Sequence, residues 1–518
     1  MRNRKLRVLS LILATMMLVG MLAGCSSKGS SDKNSDKTTG DSSKGTAKDT
    51  LIVATMSETP SVHYADHNAT AGSYVNALTY DTLFRSDKDL KPQPHLVESY
   101  ENLSDTVWQF KLKSGIKFHN GETMTANDVK ASLEKAKTYP EVSLYNDSIS
   151  SVEVVDDLTF KITTPAPSAI LLNNLCHHGN AIVPKSLIDS NNDFGKNPIG
   201  SGPYVFKNWT LGDSLEFEAF ADYFDGAPAI KKIVWKTIPE GSSRTIAMEA
   251  GEVDFVIEVE AMDADRLKEN SDVTVYEFNS TEENWLMLNN EKPGLDNVLV
   301  RKAINAAIDK DSVVTVAMNG QGKPALSACP ANLLGASDEN TDKYDVEKAK
   351  KYLADSKVDP ASVKLSIICS NDWKKRAGEV IQANLKEVGI TADIESMDLA
   401  TYLSTTAEGN YTAAIGGYTA SDMVSYMVGV YHSKSINASN KTRVNDAKVD
   451  ELIDKAAATI DEGEREKILK ECTARLNDLC TQAPLFQGVV MRAYNKNLEG
   501  VLITNSGDMY FDKAKWAA

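Results

Sequence analysis

The stretch from residue 363 to residue 397, VKLSIICSNDWKKRAGEVIQANLKEVGITADIESM, has the clearest α/β pattern in this chain of 518 residues. The apolar run at 363–368 predicts a strand, 372–388 has the pattern of a helix that Gly389 ends, and 390–397 predicts a second strand. A strand, a helix and a strand in succession form a βαβ unit, whose two strands are parallel. The sequence therefore predicts an α/β fold with a local parallel sheet.

Strand signals recur on the N-terminal side of this unit. Residues 51–54 are short and apolar, which is typical of a buried strand. Residues 108–112 and 215–219 alternate apolar with polar side chains, which is typical of strands that bury one face. Strand and helix patterns thus alternate along the chain, as an α/β fold requires.

Helix starts are marked by capping residues. Thr125 followed by Asp128 is a variant of the capping box and predicts a helix at 126–137. Asp309 is expected to cap a further helix, and Asp461 is expected to start the last long helix of the chain.

The first 25 residues have the organisation of an export signal. Four basic residues among the first seven precede an apolar run at 8–22, which is shorter than the roughly twenty residues of a spanning helix. The run ends in LAGC at 22–25, where small residues precede a thiol that can carry a lipid. This ending resembles the lipobox of bacterial lipoproteins. It predicts a signal peptide at 1–24 and lipidation of Cys25, with an ordinary signal peptide as the alternative.

Residues 26–49 are rich in Ser, Lys, Gly, Asp and Thr and contain no large apolar residue, so they cannot form a core. With Cys25 they predict a flexible tether at 25–49 that spans roughly 27 Å. The formal net charge is −16, and loss of the signal peptide would make it four charges more negative. Such an acidic chain would repel nucleic acid, and only the lipid would hold it at a membrane.

The folded part, from residue 50 onward, is too long for one core and is expected to form two or three domains. Apart from Cys25, the chain has five cysteines without metal-ligand spacing, and we expect all of them to be buried free thiols. They are Cys176, Cys329, Cys369, Cys472 and Cys480.

Sequence motifs of catalysis are missing: there is no phosphate loop, no HExxH helix and no GxSxG elbow. We therefore expect no enzyme activity and no cofactor. His63 and His67 are four residues apart, but the turn-forming residues around them and the lack of a third ligand argue against a metal site. For His177 and His178 three interpretations remain open: a polar loop at a domain edge, a ligand contact in a cleft, or part of a metal site.

Several motifs stand in a fixed order between about residue 75 and residue 500. They are KFHNGETMTANDV at 117–129, NPIGSGPY at 197–204, AGEVD at 250–254, VRKAINAAID at 300–309, and VDELI at 449–453. This series resembles the extracellular solute-binding proteins of peptide and nickel ABC transporters, solute-binding family 5. Their glycines and capping residues identify a fold more than a ligand.

The resemblance implies a two-lobed, periplasmic-binding-protein-like α/β fold with an extra inserted domain and a cleft between the lobes. Applied to this sequence, the family architecture assigns residues 50–84, 196–285 and 489–518 to lobe I, 85–195 to the inserted domain and 286–488 to lobe II.

The implied function is capture of a small-molecule or peptide ligand, foremost an oligopeptide or dipeptide, by lobe closure. The ligand would then pass to an ABC permease that is driven by ATPase subunits. We expect a monomer, lipid-anchored at the extracellular face of the cell membrane, or periplasmic if the source has an outer membrane. A nickel chelate, a glutathione-like solute or an oligosaccharide remain alternative ligands, and a tethered hydrolase or surface sensor remain alternative roles.

In peptide-binding relatives, a Gly-aromatic-x-x-Asp segment of lobe II binds the α-ammonium of the peptide. The corresponding segment here is GYTASD at 417–422, with Ser421 at the carboxylate position and Asp422 one residue later. The resemblance therefore implies ligand contacts from Tyr418, Ser421 and Asp422. Local alignment adds His177 and Tyr145, and we add Trp285 because it lies near the expected crossover between lobes. For the aromatic residues, an ordinary place in the core is the alternative.

Overall fold

The structure, a computed structural model, describes residues 48–146 and 148–517. The predicted signal peptide, the lipidation site Cys25 and all but the last two residues of the predicted tether lie outside the described residues. In the described part, no helix combines the length and the apolar character needed to cross a membrane.

The strands, in chain order, are β1 (Thr50–Thr55), β2 (Phe84–Ser86), β3 (Pro92–Pro94), β4 (Val97–Ser104), β5 (Val107–Leu112), β6 (Ser151–Val154), β7 (Thr159–Thr163), β8 (Tyr204–Thr210), β9 (Ser214–Ala219), β10 (Lys232–Thr237), β11 (Phe255–Val256), β12 (Val273–Leu288), β13 (Lys323–Pro324), β14 (Lys364–Cys369), β15 (Thr391–Ser396), β16 (Ala413–Tyr418), β17 (Gln482–Asn495), β18 (Leu498–Glu499), β19 (Leu502–Ile503), β20 (Met509–Tyr510) and β21 (Lys515–Trp516). The helices are α1 (Thr70–Thr79), α2 (Ala126–Ala136), α3 (Leu171–Asn174), α4 (Lys185–Asp189), α5 (Gly241–Glu249), α6 (Ala264–Glu269), α7 (Val298–Ala307), α8 (Lys310–Met318), α9 (Val346–Ser356), α10 (Asp372–Glu387), α11 (Leu399–Glu408), α12 (Met423–Val430), α13 (Ala447–Ala458) and α14 (Glu462–Leu479).

The predicted βαβ unit is confirmed as β14, α10 and β15. The two strands pair in parallel over their whole length, and β14 also pairs in parallel with β16. Asn371 caps α10 by accepting a hydrogen bond from the backbone N–H of Lys374 at 3.1 Å. Gly389 follows the helix with a φ of 84°, a left-handed conformation that favours glycine.

One large mixed sheet runs through the molecule in the order β15-β14-β16-β12-β17-β11-β1-β10-β9-β8. Its two long strands, β12 and β17, pair antiparallel along nearly their whole length, with a shift in register between Asn279 and Glu283. We call the part on the β11 side of this shift lobe I, and the part built on β13–β16 and α7–α14 lobe II. The lobes are therefore joined by two adjacent strands, while the domain boundaries given above stay predictions.

A separate four-stranded sheet has the order β4-β5-β7-β6, with α2 beside it. We call this sheet, together with the β2–β3 hairpin and α2–α4, the inserted domain. As predicted, Trp108, Phe110 and Leu112 bury one face of β5. The capping box is also confirmed, because the backbone N–H and the hydroxyl of Thr125 both donate to the Asp128 carboxylate, at 2.8 and 2.9 Å.

Lobe II has a core on each face of its sheet. One core contains apolar residues of α7–α10, and the other contains those of α12–α14 together with Trp285 and Met287 of β12. The predicted caps Asp309 and Asp461 accept hydrogen bonds from the backbone of Ser312 and Glu464, respectively. This packing holds α12, which follows the end of β16, against the rest of lobe II.

The inserted domain contacts lobe II directly at three places. Leu90, at the tip of the β2–β3 hairpin, is buried in the second core of lobe II. Lys91 beside it forms an ion pair of 3.2 Å with Glu462. The backbone N–H of Ala169 donates to the carbonyl of Ala457 at 2.8 Å.

The cysteine prediction is confirmed for four of the five thiols and is wrong for the fifth. Cys329, Cys369, Cys472 and Cys480 are buried and free, whereas Cys176 is free but only half-buried. Cys176 differs because it packs at the edge of the inserted-domain core and also lines the cleft between the lobes.

Candidate functional site

The cleft encloses a cavity of about 580 Å³. Three parts of the chain form its walls: α1 and the C-terminal loop of lobe I, residues 170–181 with Tyr145 of the inserted domain, and residues 418–439 of lobe II. A volume of this size suits a small organic ligand. Because all three parts contribute, the cavity depends on the closed arrangement.

Arg85 of β2, at the boundary between the inserted domain and lobe I, adds to the lobe I wall and is held by two carboxylates of lobe I. Its guanidinium lies 2.6 Å from Asp81 and 3.4 Å from Asp512, and it packs over the ring of Tyr510 at 4.7 Å. Asp81 also accepts hydrogen bonds from His95 at 2.9 Å and from the hydroxyl of Ser201 at 3.1 Å. Despite burial, these contacts hold the pKa of Asp81 below its usual value. The network holds the Arg85 guanidinium in a fixed position at the cavity, with both of its neighbouring carboxylates in direct contact.

Asp508, in the loop between β19 and β20, also lines this wall. Its carboxylate accepts a hydrogen bond from the hydroxyl of Ser506 at 2.7 Å. Burial raises the pKa of Asp508, and the Ser506 hydroxyl and the Arg492 guanidinium oppose that shift. Asp508 thus lines the cavity, and its carboxylate forms no ion pair with a lysine or arginine among the described residues.

On the inserted-domain wall, two adjacent histidines are held neutral. His177 stacks on Tyr145 with ring centroids 3.6 Å apart, and its Nε2–H donates to the side chain of Asn68 at 3.1 Å. His178 Nε2–H donates to the carbonyl of His67 at 3.2 Å, and its Nδ1 accepts from the Ser73 hydroxyl at 3.0 Å.

Burial lowers the pKa of both rings, that of His178 to about 4 and that of His177 well below its usual value. A neutral imidazole binds a metal through its unprotonated nitrogen, but here that nitrogen already accepts a hydrogen bond in both rings, in His177 from the backbone N–H of Gly179 and in His178 from Ser73. Within residues 48–146 and 148–517, no three His, Cys, Asp or Glu side chains are grouped to hold a metal ion.

The lobe II wall is formed by Tyr418, the loop after it and the exposed face of α12. The Tyr418 hydroxyl lies against Gly429, where a Cβ atom would be only 2.5 Å from the hydroxyl oxygen. Four serines line this wall, namely Ser421, Ser425, Ser435 and Ser439. The hydroxyls of the last three donate within lobe II, to Asp422 and to the carbonyls of Val428 and Gly429, and keep only their capacity to accept. The wall therefore combines an aromatic ring with short, neutral hydrogen-bonding groups.

The structure brings four of the six predicted ligand-contact residues together. Tyr145, His177, Tyr418 and Ser421 all line the cavity. Asp422 does not line it, because its carboxylate caps α12 and accepts from the backbone N–H and the hydroxyl of Ser425 at 2.9 and 2.7 Å. Neither Asp422 nor Trp285, both predicted ligand contacts, lines the cleft cavity.

Trp285 lies in a second, smaller cavity of about 350 Å³ inside lobe II. Its indole packs edge-on against Tyr426, and its Nε1–H has no hydrogen-bond partner in the described part of the chain. Tyr418 and Ser439 line both cavities, so the two spaces adjoin at those residues.

Sequence reasoning missed the C-terminal loop of lobe I and Arg85. Arg85 is more than 400 positions from Asp508 and Tyr510, so no local pattern connects them. One signal was present in the sequence: SGDMY at 506–510 places an acidic residue beside a turn-forming glycine and an aromatic ring near the chain end.

This geometry can be compared with known proteins. The family model described as "Bacterial extracellular solute-binding proteins, family 5 Middle" matches residues 91–438. The glutathione-binding protein GsiB of Salmonella typhi is 28% identical over 486 residues, which cover 90% of this chain and 94% of that protein.

Two solved structures have the same fold. HbpA2 from Haemophilus parasuis matches with a TM-score of 0.83 at 24% identity and covers 90% of this chain and 100% of that one. DppA from Helicobacter pylori, in complex with the peptide STSA, matches with a TM-score of 0.75 at 24% identity and covers 91% of this chain and 99% of that one. The family model spans more than half of the sequence, and the chain therefore belongs to the bacterial extracellular solute-binding proteins of family 5.

Proposed function

We propose that this protein is the receptor of an ABC importer and that it captures a short peptide or a peptide-like solute. The observation that carries the proposal is the cavity of about 580 Å³ whose walls come from both lobes and the inserted domain. A ligand held there contacts all three walls only when the lobes are closed. Binding would therefore shift an open–closed equilibrium toward the closed form, which a membrane permease can distinguish.

Two strands at the crossover supply a hinge for this closure. Near the register shift, Gln487 of β17 donates from its side-chain amide to the carbonyl of Ser280 at 2.7 Å and to the side chain of Asn332. Rotation at a few strand residues is enough for a hinge motion. The contacts of Leu90 and Ala169 with lobe II would form on closure and break on opening.

The lining supports a peptide-like ligand. The backbone N–H groups of Ala420 and Ser421 donate no hydrogen bond within the described ranges, and both residues line the cavity. They can pair with the carbonyl groups of an extended peptide, as in strand-addition binding. Tyr418 and Tyr145 offer apolar ring surface for side chains. The names of the relatives agree with this class, since GsiB is a glutathione-binding protein and DppA was solved with STSA.

The proposal includes the membrane anchor. A lipid on Cys25 and the tether at 25–49 would keep the receptor near its permease while allowing both lobes to move. Mass spectrometry of protein from a lipoprotein-processing host should find the mature N-terminus at Cys25 with attached acyl chains. Cleavage elsewhere without lipid would contradict this part of the proposal.

Calorimetry with purified protein of residues 26–518 tests the ligand class. The probes are the tetrapeptide STSA and glutathione, and we expect at least one to bind with micromolar or tighter affinity. Tyr418→Ala should weaken that binding roughly tenfold or more, because it removes an aromatic wall. Tyr344→Ala is the matched control, since Tyr344 is exposed and does not line the cavity. Absence of binding by both probes would contradict the peptide assignment.

A further inference from the structure

The charged residues that line the cleft cavity differ in whether a group of opposite charge contacts them. There are three of them: Arg85, Lys434 and Asp508. Arg85 contacts the carboxylates of Asp81 and Asp512, and Lys434 is exposed to solvent. Asp508 is half-buried and forms no ion pair with a lysine or arginine in the part of the chain that the structure describes. The cavity thus contains one acidic group whose charge nothing offsets by direct contact.

The loop around Asp508 is built tightly. The backbone N–H of Asp508 donates to the Thr504 hydroxyl at 3.1 Å, and the Ser506 hydroxyl donates to the Asp508 carboxylate at 2.7 Å. Gly507 has a φ of 94°, and a Cβ atom there would lie 3.1 Å from Nη2 of Arg492. The carboxylate therefore has a defined position at the cavity wall.

The cation nearest to this loop is committed to other partners. Arg492 donates from Nη1 to the carbonyl of Ile257 at 2.6 Å and from Nη2 to the hydroxyl of Tyr74 at 3.2 Å. A carboxylate that loses water without gaining a cation is unfavourable. A positively charged group of a ligand in the cavity would offset that cost directly.

The opposite wall has no equivalent group. Asp422 is the acid nearest to the lobe II lining in sequence, and its carboxylate accepts two hydrogen bonds from Ser425 as a helix cap. The lobe II lining offers serine hydroxyls and the exposed Lys434 instead. A cationic ligand group thus finds its best partner on the lobe I wall.

We propose that Asp508 is a specificity-determining residue that binds a cationic group of the solute, an ammonium or a guanidinium. This inference rests on the proposed function of the cavity as a solute site. It assigns an orientation, with the cationic end of the ligand at the C-terminal loop of lobe I. Solutes without a cation, such as N-acylated peptides, would be discriminated against.

The experiment compares STSA with N-acetyl-STSA by calorimetry, using the native protein, Asp508→Asn and the control Asp311→Asn. Asp311 is exposed on α8 and does not line the cavity. We expect acetylation to weaken binding to the native protein and to the control roughly tenfold or more, because it removes a charge-assisted contact. In Asp508→Asn the two probes should bind within about a factor of three of each other. Equal binding of both probes by the native protein, or discrimination retained by Asp508→Asn, would overturn the proposal.

A second arm separates this inference from the peptide assignment. If neither STSA nor glutathione binds, the peptide class has failed, and the cationic probes spermidine and 1,5-diaminopentane are tested by thermal shift at millimolar concentration. Stabilisation of the native protein that is lost in Asp508→Asn supports the role of Asp508. No stabilisation by either cation would then overturn it as well.

The melting temperature of the ligand-free protein separates a ligand-binding role of Asp508 from a purely structural one. The two roles predict changes of opposite sign. Replacing an unbalanced carboxylate by an isosteric amide should leave the melting temperature unchanged or raise it. A clear fall in the melting temperature of Asp508→Asn would mean that the carboxylate serves to hold the loop, and would count against the proposal.

Discussion

The two main walls of the cleft differ in how their polar groups are used. On the lobe I wall, Arg85 and Asp81 are locked into a buried network with His95 and Asp512. On the lobe II wall, the lining includes four serines, the ring of Tyr418 and the exposed Lys434, and the acid nearest to it in sequence, Asp422, caps α12. Lobe I thus presents charges that are fixed in a buried network, whereas lobe II presents mostly neutral groups and one solvent-exposed lysine, Lys434.

Because of this difference, we expect the two walls to have different roles in ligand binding. A preorganised charged wall selects a ligand by electrostatics at little cost in conformational entropy. A wall of short hydroxyls and one aromatic ring fits a ligand by shape and hydrogen bonds once the lobes close. Substitutions in the lobe I wall should therefore affect mainly the stability of the fold and the preference for ligands of a given charge. Changes in the lobe II wall should affect mainly ligand fit.

The largest expected effect is on the lobe I wall. Arg85→Ala leaves the carboxylates of Asp81 and Asp512 without their common cation, in a site where the Asp81 side chain has no exposed surface. We expect the free energy of unfolding to fall by about 3–5 kcal/mol, because an uncompensated buried charge remains. Urea unfolding followed by circular dichroism measures this change.

Arg475→Ala is the matched control for that experiment. Arg475 also pairs with a carboxylate, that of Asp446 at 2.7 Å, but its side chain is 40% exposed. Loss of such a pair should cost about 1 kcal/mol or less. If both arginine variants lose the same small amount of unfolding free energy, the Arg85 network stabilises the fold no more than a surface ion pair does.

An effect of intermediate size is expected on the inserted-domain wall, where the neutral His178 should make the stability depend on pH. Burial lowers the pKa of His178 to about 4, whereas a histidine in the unfolded chain titrates near pH 6.5. Between these values the unfolded state binds a proton that the folded state does not, so stability falls as the pH drops from 6.5 toward 4. One such group lowers the free energy of unfolding by about 2 kcal/mol at pH 5.

Urea unfolding at pH 7 and pH 5 measures this slope for the native protein and for His178→Gln. Glutamine does not titrate, so the variant should lose part of the difference between the two pH values. An identical difference in both proteins would mean that His178 titrates normally in the folded state.

Local features of the fold could be predicted from the sequence, whereas the frame that joins them could not. The βαβ unit at 363–397 and the caps Thr125, Asp309 and Asp461 depend on residues a few positions apart, and all of them are found in the structure. The long pairing of β12 with β17 joins segments about 200 positions apart. Periodicity contains no information about such partners.

The same reasoning explains the outcome for the site. Tyr418 and Ser421 were found because they belong to one short segment with a family pattern. The side chain of Asp422 could point to the ligand or to the following helix, and only the structure shows that it caps α12. Arg85 and Asp508 meet at the cavity because the C-terminal loop returns to lobe I, which no local pattern records.

The smallest expected effect concerns the lobe II wall and uses two helical glycines. A Cβ atom on Gly429 of α12 would lie 2.5 Å from the Tyr418 hydroxyl, whereas one on Gly378 of α10 would have its nearest neighbour at 3.6 Å, on Ile394. Gly378→Ala should therefore raise the free energy of unfolding by about 0.5–1 kcal/mol, the usual gain from alanine within a helix. Gly429→Ala should forfeit that gain, because the ring of Tyr418 must move.

The ring of Tyr418 lines the cavity, so its displacement should also alter ligand binding. We expect Gly429→Ala to weaken the binding of whichever probe the native protein accepts by roughly threefold to tenfold, and Gly378→Ala to leave it unchanged. This small effect is the most direct test of the difference between the two walls, because Gly429→Ala changes the shape of the lobe II wall without changing any charge. If Gly429→Ala binds as tightly as the native protein, the position of the Tyr418 ring does not matter to the ligand. The neutral wall would then contribute only by excluding water.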